Sequence, residues 1–232
     1  MLTHRPAADR GHSLMGWLDS YHSFSFGDYD DPAHRQFRAL RVINDDRIAG
    51  GGGFPTHPHR DMEILTWVLA GGLRHRDSLG HESTLGPGKV QLMHAGTGIA
   101  HSEFNASETE TLHLLQIWLM PQARGLAPGY AEQVIPDDKL VGRFCLLASP
   151  DGRDGSLKIY QDCRIWATRM QPEQYLILPL LPGRFGWVQM ARGKVWMQKK
   201  SLVAGDGMAA EGEARLEFMA ETACEFLVFD LA

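Results

Sequence analysis

Two short triplets carry the side chains best suited to metal chemistry, His57-Pro58-His59 and, further along the chain, His101-Ser102-Glu103. In a β-strand the residues at i and i+2 point to one face, so each triplet offers two donor groups to the same side. The two triplets have the same internal spacing, and two such strands side by side gather three imidazoles and one carboxylate around one point. Nitrogen and oxygen donors of this kind suit a divalent transition ion, with Fe(II) the expected one and Mn, Co, Ni, Cu or Zn compatible with the same set. A structural zinc would more often recruit cysteine and close its shell, whereas this set can leave positions free for a chelating substrate. Glu63 is a second carboxylate of interest, because strand parity carried on from His57 and His59 puts it on their face.

A lone buried histidine is more often a hydrogen-bonded core residue than a ligand, so the weight rests on the joint arrangement. All 11 histidines lie at or before His113, which leaves the second half of the chain with none. His113 shares parity with Leu115, Ile117 and Leu119 and is expected to face an apolar interior, and His94 reads likewise. His75 and His81 lie among Arg74, Arg76, Asp77 and Glu82 and read as solvent-facing. Cys145, Cys163 and Cys224 are odd in number and form no CxxC pair, which points away from a disulfide framework or a thiolate site.

The elements that must position these groups are strands. Helix-period stretches are scarce, and short apolar and β-branched runs recur between the 25 glycines and 12 prolines. Candidate strands fall at 37–44, 62–69, 90–94, 112–120, 145–149, 157–170, 175–180, 185–190, 194–198, 215–219 and 225–230. Trp67-Val68-Leu69-Ala70-Gly71 and Trp187-Val188-Gln189-Met190-Ala191-Arg192-Gly193 each read as strand then glycine turn, which implies an internal duplication. The expected architecture is all-β, with one domain over 1–130 carrying the metal ligands and another over 131–232 without them, joined through 121–143. Carried across at the Trp67 to Trp187 offset, His57 and His59 land on Ile177 and Pro179.

With 232 residues, 44% hydrophobic and 22% charged, the chain can bury a substantial core and does not read as disordered. A net charge of −5 with no basic tail gives no footprint for direct nucleic-acid or anionic-membrane binding. No apolar run approaches the roughly 18 residues of a spanning helix, and the expectation is a cytoplasmic protein.

The spacing Gly51-x5-His57-x-His59-x3-Glu63 before Gly71, with Gly98-x2-His101-x3-Asn105, resembles the paired motifs of the cupin superfamily. Trp17-Leu18-Asp19-Ser20, His22-Ser23-Phe24, Thr56 to Glu63 and Ala95 to Glu103 are similar in wording to the pirins, especially bacterial ones. The resemblance implies two jelly-roll-like cupin barrels packed face to face, with one metal held at the positions of His57, His59, His101 and Glu103. Most cupins use the position of Glu63 instead, so Glu63 stays a candidate ligand, and either Glu103 or Glu63 a candidate proton acceptor. The proline usual in the second motif is His94 here, and the glycine run after it is lengthened. The implied activity is flavonol oxygenolysis, with quercetin and dioxygen as substrates, in a monomer. A metal-containing regulatory protein that binds transcription or metabolic proteins is the alternative, and isomerase or decarboxylase chemistry, marked by an arginine-lined pocket, is a third.

Overall fold

The computed structural model describes residues 1–232, and nearly all of its regular structure is β. The chain divides into two compact units: Gly11–Ile135 with Ile159–Gln161, and Met1–Arg10 with Pro136–Lys158 and Asp162–Ala232. The expected division at residue 130 coincides with neither limit. Residue 130 lies inside the strand Gly129–Val134, which pairs with Lys89–His94 at the edge of the first unit's large sheet. The N-terminal strand Leu2–Arg5 pairs with Gly207–Glu211 and so belongs to the second unit.

In the first unit a seven-stranded sheet runs in the order Gly129–Val134, Lys89–His94, Glu63–Ala70, Leu112–Leu119, Leu40–Ile48, Leu18–His22, Gly11–Met15. A four-stranded sheet runs Gly53–His59, Ile99–Asn105, Leu73–Asp77, Glu82–Leu85. Leu18, Ile48, Val68, Leu73, Leu85, Leu112 and Leu114 form an apolar cluster drawn from both sheets, and each is buried. Burying seven such side chains supplies the driving force that closes the barrel, at about 1.5–3 kcal/mol each before entropy is counted.

The second unit repeats this plan. Its sheets run in the equivalent orders, with Tyr175–Pro179, Arg215–Ala220, Lys194–Met197 and Lys200–Val203 making the four-stranded one. The expected cupin duplication is therefore present, but its register differs by one residue from the expected one. His57 pairs with His101 in the first unit, and the inward-facing pair at the same place in the second is Leu178 with Leu216. Glu103 pairs with His75, and the counterpart pair is Phe218 with Met197. The single-residue slip matters because it exchanges the faces of a strand: Ile177 and Pro179 are exposed, whereas Leu178, Leu216, Phe218 and Met197 are core. Apolar packing fills the place that imidazoles and carboxylate take in the first unit.

Candidate metal centre

Gly53–His59 and Ile99–Asn105 are neighbours in the four-stranded sheet, and both are strands that composition alone does not reveal. Pro55 and Pro58 are tolerated in Gly53–His59 because it is the sheet's edge strand, where missing donors cost little. The turn feeding Ile99–Asn105 contains Gly96 at φ +48°, where a Cβ would lie 2.2 Å from the Leu126 carbonyl oxygen, so glycine at position 96 is a steric requirement.

The two strands pair antiparallel, with His57 opposite His101 and His59 opposite Ile99, and the register shifts between His101 and Glu103. The ring centres of His57, His59 and His101 lie 4.5 to 4.9 Å apart, and one nitrogen from each falls within 4.8 Å of the others. His101 is shared with a second group, His75, His101 and Glu103, that meets the same limit. Glu103 Oε1 lies 3.9 Å from Nδ1 of His101 and 3.9 Å from Nδ1 of His75.

These donors fit a metal ion. Both ring nitrogens of His101 are buried with no hydrogen-bond partner, which costs roughly 1–3 kcal/mol for each unmade bond unless something else supplies one. His57 donates Nδ1–H to the Pro55 carbonyl at 2.8 Å, which fixes its tautomer and leaves the Nε2 lone pair free. His59 is held edge-on against Trp118, with ring centres 4.9 Å apart.

Glu103 is buried and firmly aimed. Gln116 Nε2 donates to its Oε2 at 2.7 Å and Gln91 Nε2 to its Oε1 at 3.4 Å. Thr66 donates its hydroxyl to Gln116 Oε1 at 3.0 Å, so the amide nitrogen of Gln116 can point only towards the carboxylate. Burial pushes the Glu103 carboxyl up, but interaction with His75 and the fields of His101, His75 and His57 bring it below its ordinary value. It is an anion at neutral pH. Replacing Gln116 with Leu should weaken metal binding by roughly 10–100-fold, read by competition with a chelator, because Glu103 then loses its shortest anchor.

Glu63 takes a different place from the one expected. Asp61 sits at φ +50° in the turn between Gly53–His59 and Glu63–Ala70, so parity does not carry across it and the two strands enter different sheets. Ile64 faces the cavity, and Glu63 points the other way, where its Oε2 accepts from His94 Nδ1 at 2.6 Å and from the Tyr160 backbone N–H at 3.1 Å. His113 also turns away from the cavity and donates to Asp45 at 2.6 Å. His75 is wholly buried rather than solvent-facing, and it is the site residue that sequence reasoning missed. In Leu73–Asp77 the alternation of Leu73, His75 and Asp77 against Arg74 and Arg76 carried the signal, but the surrounding charges masked it. His81 is exposed, as expected.

Burial pushes His59 down to about 4, with His101 and His57 adding to the effect. His101 is also pushed down to about 4, by burial first, with Glu103 opposing and His57 and His75 adding. Both imidazoles are therefore neutral and ready to ligate at physiological pH. In the unfolded chain they take up protons near pH 6.5, so between about 6.5 and 4 the unfolded state binds more protons than the folded one. Stability of the metal-free protein should accordingly fall as pH is lowered through that window. His101 alone should account for about 2 kcal/mol between pH 7 and pH 5 in urea unfolding.

The donors open into a cavity of about 750 Å³, inside the range of roughly 300–1,000 Å³ usual for small-molecule sites. Phe26, Phe54, Ile64, Leu18 and Trp118 supply apolar walls, and no arginine or lysine lines it. The fold and this centre define a two-domain cupin with a metal-competent first barrel. The chain belongs to the pirin family: residues 3–119 match the model described as Pirin, and residues 146–231 that described as Quercetinase C-terminal cupin domain. It is 45% identical over 231 residues to quercetin 2,3-dioxygenase of Escherichia coli strain K12, covering 100% of this chain and 99% of that one. A bacterial pirin from Escherichia coli solved in complex with nickel(II) is 44% identical, with a TM-score of 0.95 over 100% of this chain and 99% of that chain. Quercetin 2,3-dioxygenase from Acinetobacter baumannii shares the fold at 19% identity and a TM-score of 0.78, covering 95% of this chain and 83% of that one. No helix is long and apolar enough to cross a membrane.

Proposed function

We propose that this chain is a metal-dependent dioxygenase that opens flavonol-like substrates such as quercetin with dioxygen. The observation that carries the reading is a mainly apolar cavity, free of arginine and lysine, with His57, His59, His101 and Glu103 together in its wall. An anionic sugar or keto acid would call for fixed cations, whereas a flat polyphenol suits apolar walls with a few polar groups. The relatives named for quercetin support the same chemistry.

His57, His59, His101 and Glu103 would hold the ion, with Fe(II) the expected physiological one and nickel the ion bound in a 44% identical relative. When bound, an ion at this site would supply Lewis acidity towards a chelating flavonol and so lower the pKa of its 3-hydroxyl. Glu103, anionic and aimed by Gln116 and Gln91, accepts the hydroxyl proton. His59 and His101, pushed down to about 4 chiefly by burial, are neutral at physiological pH and keep a nitrogen lone pair for the ion. Phe54, Ile64 and Trp118 flank the flat rings and exclude water from the reacting edge. Both atoms of dioxygen enter the opened product, and one ring carbon leaves as carbon monoxide.

Anaerobic reconstitution with Fe(II) or Ni(II), followed by quercetin and dioxygen, should give quercetin loss with dioxygen uptake, abolished by chelation and restored by reloading. Activity unchanged after exhaustive metal removal would overturn the mechanism. Bound metal with no flavonol turnover under any loaded ion would favour the regulatory protein instead.

A further inference from the structure

The wall of the cavity carries a second polar group, away from the metal donors. His22, Asn44, Gln116, Thr66 and Gln91 are successive cross-strand partners in one row of the seven-stranded sheet. All five are buried polar residues in a sheet whose inner face is otherwise largely apolar. One end of the row, Gln91 and Gln116, holds Glu103. The other end does not touch the metal donors, and its hydrogen bonds are only partly used.

His22 donates Nδ1–H to Asn44 Oδ1 at 2.8 Å and accepts the Ser13 hydroxyl at Nε2, also at 2.8 Å. That pairing fixes the Asn44 amide with its oxygen occupied, and its two N–H donors make no hydrogen bond within the protein. Two residues along the same strand face, Asp46 accepts the Ser20 hydroxyl at Oδ1 and leaves Oδ2 open. Asn44 and Asp46 both line the cavity, although each side chain is almost entirely buried. Burial pushes the Asp46 carboxyl up to about 7, opposed by Ser20 and reinforced by Asp45 and Glu103, so near neutral pH it can donate as well as accept. Asn44 is the cross-strand neighbour of Gln116, which puts it about 5 Å beyond the residue that orients Glu103. Asn44 and Asp46 themselves stand about 6.6 Å apart along the strand.

We propose that Asn44 and Asp46 form a hydroxyl-reading subsite that binds phenolic hydroxyls on the part of a polyphenol remote from its metal-chelating edge. His22 and Ser20 act as positioning residues: they occupy Asn44 Oδ1 and Asp46 Oδ1, and so turn the remaining polar atoms into the cavity. The subsite deepens the flavonol reading and rests on it. It makes the protein selective for hydroxylated flavonols over those that carry the chelating edge alone.

The test is direct binding to nickel-loaded protein under argon, followed by the absorbance shift of the flavonol, for quercetin and for 3-hydroxyflavone. The two share the 3-hydroxyl and carbonyl, but only quercetin has hydroxyls on the outer rings. Wild type should bind quercetin at least about tenfold more tightly, the scale of one or two hydrogen bonds. Asp46→Leu should remove most of that preference while leaving 3-hydroxyflavone binding and nickel content unchanged. Asp46→Asn, which still offers hydrogen bonds and keeps the Ser20 partner, should retain it. Asn44→Leu is the second variant, read in the same way if Asp46→Leu does not fold. Equal affinity for the two flavonols in wild type, or a preference that survives both leucine variants, overturns the subsite alone. Failure of wild type to bind either flavonol overturns the functional reading and the subsite with it.

Discussion

His101→Ala should reduce bound metal from about one ion per chain to none and bring flavonol turnover to background. His101 is the residue common to both donor groups, and it is buried with neither nitrogen hydrogen-bonded. Without it, His57 and His59 remain on an edge strand, both partly exposed, and the residue that links them to Glu103 is gone. Changing residues that merely orient a ligand already costs about 10–100-fold in affinity, so loss of the shared ligand should cost at least about 100-fold. The metal-free variant should nevertheless stay folded. Removing the imidazole opens a cavity, but it also removes two unpaired buried nitrogens, and these terms of roughly 1–3 kcal/mol oppose each other. Elemental analysis and urea unfolding of the same preparation separate loss of the site from loss of the fold.

The two glutamates should behave in opposite ways. Glu103→Gln keeps the side chain's shape but removes its charge and sets a new N–H₂ against the amide donors of Gln116 and Gln91. Metal affinity and turnover should each fall by about 100-fold or more. Glu63→Gln should leave metal content unchanged, since Glu63 faces away from the cavity and is committed to His94 and the Tyr160 backbone. Its cost should appear as stability, about 1–3 kcal/mol for weakening a charge-assisted buried hydrogen bond. Metal content per chain and the unfolding midpoint of both variants check this. A Glu63→Gln protein without metal would move the carboxylate's role to the first motif.

The pairing of donors within each triplet was legible in the sequence because i and i+2 on one strand is a local relation that needs no knowledge of the fold. So was the poverty of the second barrel, since no histidine follows His113 and the N-terminal strand brings it His4 alone, which pairs with Asp206. Relations between strands were less accessible. The antiparallel pairing of His57 with His101 and the register shift before Glu103 depend on how two distant segments meet. Parity failed for Glu63 because one left-handed residue, Asp61, separates two strands that look continuous. His75 was hidden by neighbouring charges that project outward from the same strand. The row from Gln91 to His22 is assembled from five strands scattered through the first unit, so no local pattern announces it. The strand Leu2–Arg5 likewise gives no local sign that it completes a sheet of the second unit.

The most direct test is a mass balance on metal-loaded wild-type protein given quercetin in air-equilibrated buffer, with dioxygen uptake, carbon monoxide release and quercetin loss measured together. The account predicts equal amounts of all three, at a rate proportional to bound metal and absent from His101→Ala. Quercetin consumed without carbon monoxide, or consumed equally by the metal-free protein, would contradict it.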